Sequence, residues 1–148
     1  MVDVQIIFNM LKLEKDAATR ADGLRLAREI EDLSLLILPP ATPDVWECCA
    51  QVLVEKSDEA LEPHLEKILE WIQDLNWPGA LLILDRLMIF SGAKLRKYFI
   101  NRVNYLKNLG GNDGLIQMNY LSELLGNKEL KEELPESILI DLQKHYKN

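Results

Sequence analysis

Apolar residues recur at three- and four-residue intervals along most of the chain, the period of a helix with one buried face. The clearest run starts at Ser57 or Asp58 and reaches Leu75. At about 100° per residue, Leu61, Leu65, Ile68, Leu69, Trp71, Ile72 and Leu75 fall within one broad arc. Glu62, Glu66, Glu70, Gln73 and Asp74 occupy the other side. Before it, Thr42 is placed to cap a helix with Pro43 at its first position, carrying Val45, Cys49, Val52 and Leu53 on its apolar face with Trp46 alongside. After it, Asn76-Trp77-Pro78-Gly79 breaks the pattern, with Asn76 as cap and Pro78 at the first position of the next helix.

The stretch Ala80 to Phe90 is apolar on nearly all sides, interrupted only by Asp85 and Arg86, and reads as a covered central helix ended by Ser91-Gly92. Ala93 to Leu109 carries Leu95, Tyr98, Phe99, Val103 and Leu106 on one face. Gly110-Gly111-Asn112-Asp113-Gly114 is the strongest turn signal in the chain. Leu115 to Leu125 predicts another largely buried helix closed by Gly126-Asn127. A charged stretch, Lys128 to Glu133, separates it from a last helix running from Pro135 to about Tyr146. Towards the start, Asp16 to Glu31 reads as a helix with Ala17, Ala21, Leu24, Ala27 and Ile30 on its face. Val2 to Leu13 fits helix or strand, and Leu33 to Leu38, stopped by Pro39-Pro40, fits a buried extended connector or a last helical turn.

Helices joined by short turns, without a strand period, imply an all-α fold of antiparallel helical hairpins. Half-exposed helices alternating with nearly all-apolar ones favour a short stack of pairs, a HEAT-like α-solenoid, or an irregular helical bundle. No clean repeat is visible, so the pairs are degenerate. The 148 residues fit one domain. It divides into N-terminal helices and connector (1–41), a HEAT-like core (42–125) and a C-terminal helix (126–148).

The segment Leu69-Glu70-Trp71-Ile72-Gln73-Asp74-Leu75-Asn76-Trp77-Pro78-Gly79-Ala80 resembles the signature of a small, uncharacterised bacterial family of HEAT-like helical proteins, a domain of unknown function. Thr42-Pro43-Asp44-Val45-Trp46 and Gln117-Met118-Asn119-Tyr120-Leu121-Ser122-Glu123-Leu124-Leu125 are similar to other parts of such proteins, so the resemblance spans about residues 42 to 125. It implies a stack of helices and brings no reaction with it. By analogy alone, compact helical proteins of this kind are similar to immunity proteins that neutralise toxins.

Composition changes the picture mainly by exclusion. A content of 48% hydrophobic and 28% charged residues is that of a folded globular protein. A net charge of -7 disfavours nucleic acid, whose phosphates reward clustered Lys and Arg. Met-Val-Asp-Val lacks a basic region, and Asn9 and Lys12 interrupt the apolar run, so neither a signal peptide nor a membrane span is expected. The two cysteines, Cys48 and Cys49, are neighbours and poorly placed to pair with each other, which fits a reducing cytoplasm.

Catalytic chemistry has thin material. His64 and His145 are the only imidazoles, with no zinc spacing, no acidic calcium loop and no phosphate loop, so no metal and no cofactor is expected. Lys94, Arg96, Lys97, Arg102 and Lys107 scatter to both flanks of one apolar face, the pattern of solvated side chains framing a buried stripe. Trp77 reads first as a plug locking the turn between hairpins, and second as a groove wall with Trp71 and Gln73.

Two functions are therefore expected to compete. The first is a non-catalytic protein-binding module, toxin-neutralising or adaptor, that holds a basic protein partner through Glu66, Glu70, Trp71, Gln73, Asp74 and Trp77. The second is a small hydrolase or ligand-binding protein with a pocket near Cys49, His64, Trp71 and Asp74. Homo-oligomerisation through an apolar helix face is compatible with either.

Overall fold

The computed structural model describes residues 3–40 and 43–145. Every regular element among them is helical, and one continuous cluster of buried side chains runs from Ile7 to Leu142. The ambiguous first segment is a helix, α1 (Val4–Leu11), because Asp3 caps it and Ile7, Phe8 and Leu11 give it a buried face. α2 (Ala17–Ala27) starts at the Asp16 cap, whose Oδ1 accepts from the Thr19 amide at 2.7 Å. Its buried positions are Gly23 and Ala27, whereas Ala17 and Ala21 are exposed. The reason is close approach: the position a Cβ would take on Gly23 lies 3.0 Å from Leu11 Cδ2 and Met10 Cβ, so α1 crosses α2 on the glycine. Leu33–Leu36 forms a single 3-10 turn that buries Leu33 and Leu36, with Ile37 buried behind it.

A second 3-10 turn, Pro43–Val45, leads into α3 (Trp46–Leu53); the Thr42 cap expected there lies outside the described residues. Val45, Cys49, Val52 and Leu53 are buried as the spacing requires, joined by Cys48 and Ala50. The long helix expected from Ser57 to Leu75 is broken. α4 (Asp58–Leu61) gives way to a 3-10 turn at Glu62–His64, and α5 (Leu65–Trp71) ends four residues early. Pro63 has no N–H for the ladder, which accounts for the first break. The second comes from Trp71: its indole donates to the Pro78 carbonyl at 2.9 Å, so the chain must fold back over its own side chain.

That fold-back also revises the start of α6 (Ala80–Met88). Asn76 does not cap it, and Pro78 is not its first residue. Gly79 is the N-cap at φ +81°, its amide donating to Glu47 Oε1 of α3 at 2.8 Å. Nor is α6 covered all round: Ile83, Leu84 and Leu87 are buried, but Leu81 is 60% exposed and the following Ile89 77% exposed. Arg86, one of its two charged interruptions, donates to the Lys56 carbonyl and to Asp58 Oδ1, while Asp58 Oδ2 accepts from the Ser91 amide. The interruption is a clamp between α4 and the exit of α6.

α7 (Gly92–Leu109) is the longest helix and packs against α5, α8 (Gly111–Leu121) and α9 (Lys128–Glu133). It buries Leu95, Phe99, Val103 and Leu106, with Tyr98 half-buried at the edge. The glycine-rich turn is shorter than its sequence suggests. Gly110 alone separates α7 from α8, because Gly111 already opens α8 and Gly114 lies flat against Leu106. α8 is half-exposed, with Leu115 and Ile116 outside, and gives way at Ser122–Gly126 to a 3-10 turn. The charged stretch after it is helical, α9, because Asn127 caps it. α10 (Glu136–Gln143) follows Pro135; its expected end at Tyr146 lies outside the described residues.

Asn127 is buried and fully bonded. Its Nδ2 donates to the carbonyls of Leu87 and Phe90 at 2.9 and 3.0 Å, and its Oδ1 accepts from the Leu130 amide at 3.0 Å. Asn127→Asp removes both donations and faces a carboxylate with two carbonyls, so we expect a loss of about 3 kcal/mol in urea unfolding. At Gly79 a Cβ would sit 2.8 Å from Ala50 Cβ and 3.0 Å from the Trp46 carbonyl oxygen, besides adopting a positive φ. Gly79→Ala is therefore expected to cost about 3 kcal/mol, against about 1 kcal/mol for Gly111→Ala, where φ is +65° and the space is open. Equal losses in equilibrium unfolding would contradict the close packing at Gly79.

Candidate functional site

The six residues nominated for partner binding separate into two groups. Trp71 is fully buried, and its indole bond to Pro78 leaves it nothing to offer a partner. Trp77 is half-buried, with its ring centroid 5.4 Å from that of Trp46; Trp46 in turn stands edge-on to Trp71 at 6.2 Å. Trp46 also donates its Nε1 hydrogen to the Pro39 carbonyl at 2.8 Å, which ties the N-terminal segment to the core. Asp74 Oδ1 accepts from the Asn76 amide at 2.9 Å, an Asx turn inside the same fold-back. These tryptophans and Asp74 build the turn, and Gln73 lies half-buried within it.

Glu66 and Glu70 lie elsewhere. Four residues apart on α5, they lie on one side of the helix, Glu66 exposed and Glu70 half-buried. They line a cleft of about 260 Å³ whose opposite wall is α7, with Tyr98, Asn101, Arg102 and Tyr105 at successive-turn spacing. Leu69 supplies apolar lining. Arg102 is held from two sides: its guanidinium stands 4.8 Å above the Tyr105 ring, and its Nη2 donates to Gln117 Oε1 of α8 at 3.0 Å. One turn earlier on the same wall, Glu62 is already paired with Lys94 at 3.2 Å. Glu66 and Glu70 have no ion pair among the described residues. The cleft thus offers two carboxylates, two phenols and an amide around one fixed guanidinium. That set can accept and donate hydrogen bonds, and its carboxylates can hold a cation.

The basic residues of α7 are tied down individually. Lys94 pairs with Glu62, Arg96 donates to the Glu133 carbonyl, Lys97 stands 5.0 Å over the Tyr98 ring, and Lys107 pairs with Asp141 at 2.8 Å. Apart from Lys97, whose contact is within α7, they brace neighbouring elements rather than form a stripe. Lys107 also holds the Asp141 carboxyl below its ordinary value.

For a thiol-based site the geometry is unfavourable. Cys49 is fully buried, and burial pushes its thiol up to about 12. Burial likewise raises Cys48, whose Sγ lies 3.8 Å from the Leu11 carbonyl. Neither thiol is ionised near neutrality, so neither is an activated nucleophile. His64 sits half-buried at the break between α4 and α5, near Asp32. His145 Nδ1 is 2.6 Å from Asn119 Oδ1 and ties the last described turn to α8. Among the described residues, no group of three or more His, Cys, Asp or Glu converges to hold a metal ion, and no helix is long and apolar enough to cross a membrane.

One wall of the cleft is visible in the sequence and the other is not. The periodicity puts Tyr98 on the buried face and Arg102 on a solvated flank, and nothing in it singles out Asn101 or Tyr105. Their spacing of three, four and seven residues is the available signal; what it does not carry is that α5, rather than solvent, lies opposite.

No curated protein and no solved structure matches the chain. A family match begins at Trp46 and runs through α9 into α10, past the boundary at residue 125 that the signature resemblance suggested. Residues 46–140, more than half of the chain, match the family described as Domain of unknown function (DUF5071), and the chain belongs to that family.

Proposed function

We propose that this protein is a non-catalytic, cytoplasmic protein-binding module, an adaptor or toxin-neutralising protein, that holds a basic segment of its partner in the α5–α7 cleft. The observation that carries this reading is the contrast between the 3-10 turn and α5. Glu62 is neutralised by Lys94, whereas Glu66 and Glu70 have no ion pair among the described residues and face Tyr98, Asn101, Tyr105 and an Arg102 already engaged by Gln117 and Tyr105. Tyrosines beside carboxylates are well suited to a Lys or Arg side chain, the ring covering its stem and the carboxylates taking its charge. A net charge of -7 adds long-range attraction for a basic protein, which acts mainly on the association rate. On this proposal the pairs of packed helices are a short HEAT-like stack, and the cleft is the groove between two of its layers.

The test is capture of partners by the tagged full chain from its native cell lysate at low and moderate salt, followed by mass spectrometry. A stoichiometric basic protein is expected, lost as salt rises. Glu66→Lys/Glu70→Lys should abolish its retention, and Tyr105→Ala should weaken it about tenfold. Retention that ignores both the charge reversal and salt would contradict the reading.

A further inference from the structure

A second, larger concavity lies outside the family-matched region. α1, the C-terminal half of α2 and the 3-10 turn at Leu33–Leu36 enclose an open groove of about 780 Å³. Its lining is apolar along the middle, with Val4 and Ile7 from α1, Leu26 and Ile30 from α2 and the stretch following it, and Leu35 from the turn. Its rim is acidic: Asp3, Glu29, Glu31 and Asp32 all line it, and among the described residues no Lys or Arg does. Arg28, between these residues in sequence, turns away and donates to Glu55 of the α3–α4 turn from Nε and Nη2, at 2.9 and 3.2 Å. Asp32 is kept ionised by Ser34, whose side chain and backbone both donate to it.

We propose that this groove is a docking site for a basic amphipathic helix of another protein, with the apolar side chains of that helix on Ile7, Ile30 and Leu35 and its Lys or Arg residues on the Asp3, Glu29, Glu31 and Asp32 rim. The dimensions suit it, since α1, which forms one wall, is eight residues and so about 12 Å long, room for two to three turns of a partner helix. Charge selects among occupants. A second copy would bring a surface of net charge -7, and Lys94, Arg96, Arg102 and Lys107 of its α7 are already bonded internally. An anionic membrane surface would be repelled by the same rim. The surface shares no residue with the α5–α7 cleft, so the two can fail separately.

Fluorescence anisotropy of the full chain, with a fluorescein-labelled amphipathic helix of leucine and lysine as probe, tests the proposal. Saturable binding is expected, with none for a twin in which glutamate replaces lysine. Leu35 is 42% exposed and Glu29 and Glu31 are exposed, so their substitutions should leave thermal unfolding unchanged. Leu35→Arg, and separately Glu29→Gln/Glu31→Gln, should weaken binding about tenfold, while Glu66→Lys/Glu70→Lys should leave more of it than either. Binding untouched by Leu35→Arg, or equal binding of the glutamate twin, would overturn the proposal. So would a dimer in sedimentation that Leu35→Arg dissolves, since a second copy would then be the occupant.

Discussion

A single hydrogen bond, from the Trp71 indole to the Pro78 carbonyl, sets the path of the chain through the middle of the molecule. Trp71 is fully buried, and a buried indole N–H left without an acceptor would be costly. The acceptor comes from seven residues downstream, so the segment between must curl back over the ring. Only then can Gly79 reach φ +81° against Ala50 and the Trp46 carbonyl and give its amide to Glu47. Trp46 closes the arrangement by packing on both Trp71 and Trp77 and by donating to Pro39. One turn therefore positions α3, α5 and α6 together, and through Pro39 it anchors the N-terminal segment as well.

The most distinctive residues of the chain thus have a role in the fold itself. Trp71, Asp74, Trp77, Pro78 and Gly79 stand out in the sequence because few other side chains can make this turn. The surfaces suited to recognition are chemically plainer. Beside the cleft, Glu62 is taken by Lys94 and Lys107 by Asp141, whereas Glu66 and Glu70 have no ion pair among the described residues. The N-terminal groove shows the same economy, with Arg28 drawn off to Glu55 and the acids beside it left on the rim. At the cleft the acidic surface results from where the bases are engaged; at the groove that effect adds to the close run of Glu29, Glu31 and Asp32.

The helical class is legible because burial follows the periodic positions closely in α3 and α7, from Val45 to Leu53 and from Leu95 to Leu106. The element boundaries are less so, and for local reasons. The break at Pro63 is masked by the apolar arc running through it, and the end of α5 is decided by a side-chain bond to a carbonyl that has no sequence signature. Exposure misleads in α6 and α8: Leu81, Ile89, Leu115 and Ile116 are apolar yet outside, which composition cannot distinguish from burial. Of the candidate site, Glu66 and Glu70 are legible because like charges on one helix side are visible in one dimension. Tyr98, Asn101 and Tyr105 are not, because a cleft is a relation between two helices. The groove on residues 3–35 is hidden for the same reason, being assembled from α1, α2 and a 3-10 turn whose apolar residues each look like ordinary core.

Native-state hydrogen exchange tests the central role of the turn most directly. If the fold-back holds α3, α5 and α6 together, the Trp71 indole hydrogen and the Gly79 amide exchange only by global unfolding, with the same free energy as the slowest amides of α7. If both exchange through a local opening at much lower free energy while α7 stays protected, the turn is an appendage and the Trp71–Pro78 bond does not organise the fold.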